Sequence, residues 1–597
     1  MPTYKAPLRD MRFVLYELHD GEALAKLPGY EEFTRDLVDP VLDEAAKICE
    51  EVLQPLNRSG DEEGCTFENG VVRTPKGFKD AYRQFREGGW TGIACKPEYG
   101  GQGVPKIVNT LVEEMICSSN LSFGMYPGLS FGAYVALANY GTPEQKALYL
   151  PHLVDGRWSG TMCLTEPHCG TDLGQIRTTA TPRPDGSYAI TGTKIFISAG
   201  EHDLTENILH LVLARLPGAP KDIKGISLFL VPKFLVKPDG SLGPRNGVSC
   251  GSIEHKMGIK ASSTCVMNFD AAQGYLIGEP NKGMRAMFAM MNTERISVGM
   301  QGLGLGEVSY QNAVAYARDR LQGRALTGAK EPNKAADPII VHPDVRRMLL
   351  TSRAYIEGCR ALAAWAGHAY DVAEHHPDGR TRQDANDLLA LITPVVKALI
   401  TDLGYEATNL GVQVFGGHGY IREWGQEQYV RDCRIAQIYE GTNGVQALDL
   451  VGRKLPMHGG RLLRQFFHPV SDYIEANSTN EELAHLVGPL AKSFQRLQQA
   501  TGFVAQAGLR NPDEAGAASS DYLRLFGLVA LAYLWTRMAE VSLAKLKAGA
   551  NGDEAFYKAK LGTARFYTER LLPQTGSLLA QIMSGSSTMM NFEEAAF

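Results

Sequence analysis

Met162-Cys-Leu-Thr-Glu-Pro-His-Cys-Gly-Thr-Asp-Leu173 is the stretch on which the fold of this chain turns. It is irregular and polar, and it lies where the texture of the sequence changes. Thr165, Gly170 and Thr171 offer hydroxyls and unobstructed backbone, which suit a polar planar ring held by main-chain amides. A solvated polar loop is an equal reading of these residues taken alone. Upstream, residues 1–160 read as mainly helical, with apolar residues at helical spacing over 39–52, 109–117 and 131–139. Downstream, 187–190, 194–198, 208–214 and 226–231 are short β-favouring runs separated by Asp-Gly, Thr-Gly and Pro/Gly turns. They predict a middle β domain over 161–280, a sandwich or a barrel.

Within it, the alternation of 191–200 predicts a strand with Phe196 and Ser198 on one face, Phe196 in the core. Lys256-Met-Gly-Ile-Lys-Ala-Ser-Ser-Thr264 reads as a strand and turn near its end. Helical periodicity returns over 281–457, at 283–291, 313–320, 345–367 and 388–410. Residues 458–597 add further helix at 522–548 and 554–572, and His458-Gly459-Gly460 is a plausible boundary. The fold class is therefore α+β: an N-terminal helical domain (1–160), the β domain, a helical bundle and an extra C-terminal helical domain. The glycine run 299–306 mimics a dinucleotide loop but lacks a preceding strand or βαβ unit, so it reads as close helix packing or as proximity to a ligand.

At 597 residues the chain is too long for one core. With 44% hydrophobic residues, 21% charged residues and a net charge of −6, the balance is globular and no surface for nucleic acid is indicated. The N-terminus lacks a signal-peptide pattern, and no uninterrupted apolar run reaches the roughly 18–20 residues of a membrane span; a cytoplasmic protein is expected. The ten cysteines are dispersed. His168-Cys169 is poor spacing for two ligands of one ion, and no disulfide framework or metal is expected.

Three more motifs carry chemistry. Met291-Asn-Thr-Glu-Arg-Ile296 is followed, 25 residues after Arg295, by Arg320-Leu-Gln-Gly323. A guanidinium fork suits phosphate, although lone helical arginines are mostly surface charge. Gln413-Val-Phe-Gly-Gly-His-Gly-Tyr420 permits close backbone approach, with His418 reading as a loop residue. Ile438-Tyr-Glu-Gly-Thr-Asn443 sets one carboxylate, Glu440, before a Gly-Thr turn.

In their order and spacing, over roughly 35–455, these motifs resemble the acyl-CoA dehydrogenase family. The flanking segments resemble its long subgroup of about 600 residues, which includes bacterial fatty-acyl-CoA and 3-methylthiopropionyl-CoA dehydrogenases. The resemblance implies FAD held across a homodimer and a medium- to long-chain fatty acyl-CoA substrate oxidised to the trans-2-enoyl-CoA in fatty acid β-oxidation. Electrons would pass to electron-transfer flavoprotein. 3-Methylthiopropionyl-CoA as substrate and an oxidase using O2 are the alternatives. Glu440 would remove the α-proton while the flavin takes hydride from the β-carbon, with the Glu440 N–H helping to hold the thioester carbonyl. Between apolar surfaces and ligand, its pKa is expected to be raised. Glu294 occupies the position where a few members carry the base, but those members lack a glutamate at the Glu440 site.

Met162, Leu164, Thr165, Phe196, Ser198 and Thr442 match contacts to the flavin ring. Arg320, Gln322, Gln413, Gly416 and Gly417 match contacts to the pyrophosphate and ADP portion of the partner's flavin. Thr171, Asn292, Arg295 and Gly441 match the substrate side. Phe196 and Ser198 stand where the family often has tryptophan and threonine. The phenylalanine of the Gln-Phe-Gly that often follows the Arg320 position is missing. A pocket floor is expected near 126–131, deepened by Gly128.

Overall fold

The computed structural model describes residues 2–597. The chain forms two compact units: residues up to Ala46 with Pro105–Ser118 and Val298–Phe597, and Lys47–Val104 with Ser119–Ser297.

Among the described residues, the second unit holds all the strands. A hairpin pairs β1 (Thr66–Glu68) with β2 (Val71–Arg73). The main sheet contains β3 (Trp158–Cys163), β4 (Thr179–Pro182), β5 (Tyr188–Ser198), β6 (Asn207–Arg215) and β7 (Ile226–Pro232). A second hairpin, β8 (Phe234–Val236) with β9 (Leu242–Arg245), precedes β10 (Val248–Ile253) and β11 (Thr264–Ile277), which complete the sheet. The order is β10-β11-β5-β4-β6-β3, and β7 pairs with both β11 and β6. The circuit β11-β5-β4-β6-β7 therefore closes on itself, giving the expected β domain the form of a small barrel. Seven consecutive residues of β7 are buried, as a strand covered on both faces requires.

Two local expectations are overturned here. The first is Phe196 as core. Ile190 and Lys194 are buried on β5, but Phe196 takes φ 59° and the pairing with β11 slips between Cys265 and Met267. This bulge moves the inward place to Ile197 and leaves Phe196 60% exposed. The second is the strand over 256–264. Residues 256–263 form a loop and β11 begins only at Thr264. Ile259 is left-handed, the Ser262 N–H closes a turn on the Ile259 carbonyl (3.1 Å), and the Lys260 carbonyl accepts from the Cys65 N–H (3.1 Å), so these groups are not available to a ladder.

The helices expected at 109–117 and 131–139 are parts of Lys106–Tyr140, broken at Asn120 (φ −159°, ψ 89°). In the strand-bearing unit the Asn120 side chain accepts from the Phe123 N–H (3.0 Å) and donates to the Leu53 carbonyl (3.2 Å), substituting for the missing helical bonds.

The helical unit is built on the 298–319 part of Gly283–Asp319 with Pro343–His375 and Gly379–Phe415. The 299–306 glycines lie inside a helix, as close packing demands. A Cβ on Gly302 would stand 2.7 Å from the Thr401 Cα, and one on Gly304 2.7 Å from the Ser118 nitrogen. Past the left-handed residues His458, Gly459 and Gly460, the helices Arg461–Ala476, Ala484–Arg510, Pro512–Lys547 and Glu554–Phe566 belong to this same unit. The Trp535 indole donates to the Ala354 carbonyl at 3.1 Å. Gly379–Phe415 and Pro512–Lys547 belong to stretches long and apolar enough to cross a bilayer, but their most apolar windows are 72% and 83% buried in the protein, as in core helices.

At the centre of this unit the buried Arg360 contacts Asp10, Glu114 and Glu307, while the buried Lys560 contacts Asp10 and Glu357. The network thus joins the N-terminal segment and the C-terminal helices to the bundle. Burial pushes the Glu114 carboxyl up to about 7, against the lowering effect of Arg360.

Candidate functional site

The turn carrying Glu440 is shaped by backbone conformation. Glu440 has φ 58° and Gly441 φ 83°, after which Thr442 opens the helix Asn443–Asp449. A left-handed glutamate costs about 1–2 kcal/mol relative to right-handed helix, and such strain persists only where the surroundings enforce it. They do so here. Tyr439 Oη donates to Gln301 Oε1. The Thr442 hydroxyl donates to the Gln437 carbonyl (3.2 Å). The Asn443 side chain donates to Asp402 (2.7 Å) and accepts from Lys397 (2.8 Å). The Gln446 amide donates to the carbonyls of Glu440 (3.3 Å) and Gly441 (3.2 Å). Glu440 and Gly441 are half-buried and Thr442 is exposed.

In the same unit the structure brings the Arg320 and Gln413 motifs together. Tyr316, four residues before Arg320, stacks on Phe415 with centroids 4.2 Å apart and meets His418 Nδ1 through its hydroxyl at 2.9 Å. His418 also stacks on Trp424, so its role is to anchor the loop. Arg320, Gln322, Gln413, Gly416 and Gly417 are all exposed beside this aromatic cluster. Gly416 has φ 59°, and a Cβ on it or on Gly417 would meet nothing within 4 Å, a backbone cradle open to a ligand. Gln322 is held through its backbone, its N–H on the Asp337 carbonyl (3.0 Å) and its carbonyl on His342 (2.7 Å).

In the strand-bearing unit, Met162 lies on β3 and Leu164 and Thr165 follow it, with Ser198 opposite Thr264 at the end of β5. Thr171 is exposed in the loop before Leu173. Asn292 is exposed, and its side-chain oxygen accepts from the buried Arg295 (3.3 Å). Glu294 is buried against Gly132, where a Cβ would lie 2.5 Å from its Oε1.

The sequence reading missed the pair that fixes the 164–166 backbone. Lys194, buried on β5, donates to Glu166 (2.8 Å) and to the Leu164 carbonyl (2.9 Å). Glu166 also accepts from the Thr178 hydroxyl (2.6 Å) and from the Arg177 and Thr178 N–H groups (2.7 and 3.0 Å). Burial alone would raise the Glu166 carboxyl; Lys194 and these donors hold it below the usual carboxylate range. The signal was present as a carboxylate in a loop and a lysine in mid-strand. Glu166, His168 and Cys169 have potential ligand atoms within 4.8 Å of one another. With Glu166 engaged by four donors and burial raising the Cys169 thiol, they do not fit a metal centre.

Four domain families match in succession: "Acyl-CoA dehydrogenase, N-terminal domain" over 39–157, "middle domain" over 161–272, "C-terminal domain" over 281–455, and "Acetyl-CoA dehydrogenase C-terminal like" over 466–593. The 3-methylmercaptopropionyl-CoA dehydrogenase of Ruegeria pomeroyi is 43% identical, covering 98% of this chain and 99% of its own. The chain belongs to the acyl-CoA dehydrogenase family. A broad-specificity linear acyl-CoA dehydrogenase of Mycobacterium tuberculosis is 35% identical over the whole of both chains. Among solved structures, Caenorhabditis elegans ACDH-11 in complex with C11-CoA has the same fold, with a TM-score of 0.77 at 19% identity, over 96% of this chain and 92% of that one.

As an acyl-CoA dehydrogenase this protein is an FAD-dependent oxidoreductase acting on CH–CH bonds. The residues present fit that cofactor. In the strand-bearing unit a bulge leaves the Phe196 ring exposed and Lys194 holds the Leu164 carbonyl; in the helical unit, taken by itself, the 416–417 backbone is open. Replacing Lys194 with methionine leaves the Glu166 charge buried without its cation. This is expected to cost about 3–5 kcal/mol, read as a lowered apparent melting temperature with loss of FAD on gel filtration.

Proposed function

We propose that this acyl-CoA dehydrogenase oxidises 3-methylmercaptopropionyl-CoA and short linear acyl-CoA thioesters, with Glu440 as the base. The relative from Ruegeria pomeroyi carries the substrate reading, since its 43% identity runs nearly end to end. The Mycobacterium tuberculosis relative favours a second reading, broad use of linear fatty acyl-CoA.

Glu440 takes the α-proton, and its own N–H, oriented by the left-handed turn, donates to the thioester carbonyl as enolate-like charge develops there. FAD, when bound, supplies the acceptor for the β-hydride. Leu164, Thr165 and Ser198 orient its ring by backbone and hydroxyl groups, Phe196 packs on the ring, and Met162 and Thr442 line it. Arg320, Gln322, Gln413, Gly416 and Gly417 hold the pyrophosphate and ADP portion of a partner's FAD in a homodimer. Thr171, Asn292, Arg295 and Gly441 face the acyl-CoA. Glu294 supports the helix against Gly132 and takes no proton from the substrate. Electron-transfer flavoprotein serves as acceptor.

Steady-state kinetics with 3-methylmercaptopropionyl-CoA and the saturated series from butyryl- to stearoyl-CoA test this. The highest kcat/KM is expected for the thioether and butyryl substrates. A maximum at palmitoyl- or stearoyl-CoA would replace the short-chain reading with the fatty-acyl one.

A further inference from the structure

We propose that Gln446 is the positioning residue of the base turn: its side-chain amide holds Glu440 in the left-handed conformation and so sets the direction of both the carboxylate and the Glu440 N–H. The inference rests on the reading of Glu440 as the base. Gln446 lies in the first turn of Asn443–Asp449 and is wholly buried, at 0% exposed. Its Nε2 donates to the Glu440 carbonyl at 3.3 Å and to the Gly441 carbonyl at 3.2 Å. Its backbone N–H donates to the Thr442 carbonyl at 3.1 Å. One side chain thus grips the two peptide planes on either side of Gly441, while its own main chain is locked to the residue that opens the helix.

The geometry explains why a glutamine serves here. Glu440 is an L-residue at φ 58°, a conformation it would leave for the right-handed or extended region if its carbonyl were released. Gly441, at φ 83°, offers little resistance to such a change. Both groups needing a partner are acceptors, and a primary amide carries two N–H donors on one nitrogen. A lysine would satisfy them too, but its charge would compete for the Glu440 carboxylate. Asparagine, one methylene shorter, would not reach. The anchors at Tyr439 and Asn443 fix the ends of the segment, and Gln446 fixes its middle.

The test is stopped-flow reduction of the FAD-loaded protein by butyryl-CoA without oxygen, comparing the parent with Gln446→Met. Methionine keeps the volume and removes both donors. The reduction rate at saturating butyryl-CoA is expected to fall by about a hundredfold, the scale of a small misplacement of a reacting group. The half-saturating concentration is expected to be little changed, and the isotope effect with α-deuterated butyryl-CoA to rise. Gln446→Glu supplies a second arm if the methionine variant fails to retain FAD. Its ionised carboxylate donates nothing, whereas the protonated acid restores one donor, and burial raises the pH at which it is protonated. Its rate relative to the parent is expected to climb as pH falls. A folded Gln446→Met enzyme that reduces its flavin at the parent rate, or a Gln446→Glu enzyme with the parent's pH profile, overturns the proposal. Glu440→Gln run alongside separates the two readings. If it is inactive while Gln446→Met is fast, only the positioning role falls; if it is itself fast, the base assignment falls.

Discussion

Glu440→Gln is expected to lower kcat with acyl-CoA by about a thousandfold, within the range a general base contributes. Glutamine keeps the volume and the backbone N–H of residue 440, so the turn and the hold on the thioester carbonyl survive, and only the proton acceptor is lost. FAD content and acyl-CoA affinity should therefore stay near those of the parent. Loss of kcat with an unchanged half-saturating concentration would mark an interaction made only in the transition state. Glu294→Gln provides the contrast. Its carboxylate is buried beside Gly132, and the change is expected to leave kcat within the same order of magnitude. If Glu294→Gln lost turnover and Glu440→Gln retained it, the two roles would have to be exchanged.

Arg360→Met is expected to have the largest effect on stability, at least about 3–5 kcal/mol, since it leaves several carboxylates buried with too little positive charge. Arg360 is 1% exposed, and Asp10, Glu114 and Glu307 converge on it. Of the remaining cations, Lys560 reaches Asp10 and Glu357, and Arg353 pairs with Glu357 at 2.7 Å. The sign of the pH dependence follows from Glu114, whose carboxyl is raised in the fold to about 7 from an ordinary value of 4.5. The folded state holds that proton over a window where the unfolded chain has released it, so this group's contribution weakens as pH rises from about 4.5 to 7. Without Arg360 the carboxyl is raised further and the window widens. The loss of melting temperature should therefore be greater at pH 8 than at pH 5. A loss that is equal at both would show that the cluster's carboxylates are not the cause. Because the cluster ties Asp10 and Lys560 to the bundle, the N-terminal segment and the C-terminal helices should loosen together, seen as protease cleavage at both ends.

What the sequence made legible was chemistry carried by short motifs and structure carried by period. The α-β-α order and the helical nature of the 299–306 glycines follow from local patterns, whereas the strand Trp158–Cys163 does not announce itself in them. Phe196 shows where that stops. Perfect alternation placed it in the core, and only the register slip against β11, a long-range fact, turns it outward. Lys256–Thr264 failed for a related reason: its residues suit a strand, but its carbonyls and N–H groups are taken by a turn and by Cys65. Glu166 with Lys194, and Glu440 with Gln446, are partnerships that composition cannot announce. Each needs a buried side chain whose target is another segment's backbone.

The most direct test of the central claim is an anaerobic titration of the FAD-loaded protein with 3-methylmercaptopropionyl-CoA and with butyryl-CoA, following the visible flavin absorbance and the enoyl-CoA product together. The prediction is rapid bleaching with enoyl-CoA formed in step with reduced flavin, and both about a thousandfold slower in Glu440→Gln. A flavin that stays oxidised with every saturated acyl-CoA from butyryl to stearoyl and with the thioether substrate, or a Glu440→Gln protein that bleaches at the parent rate, would contradict it.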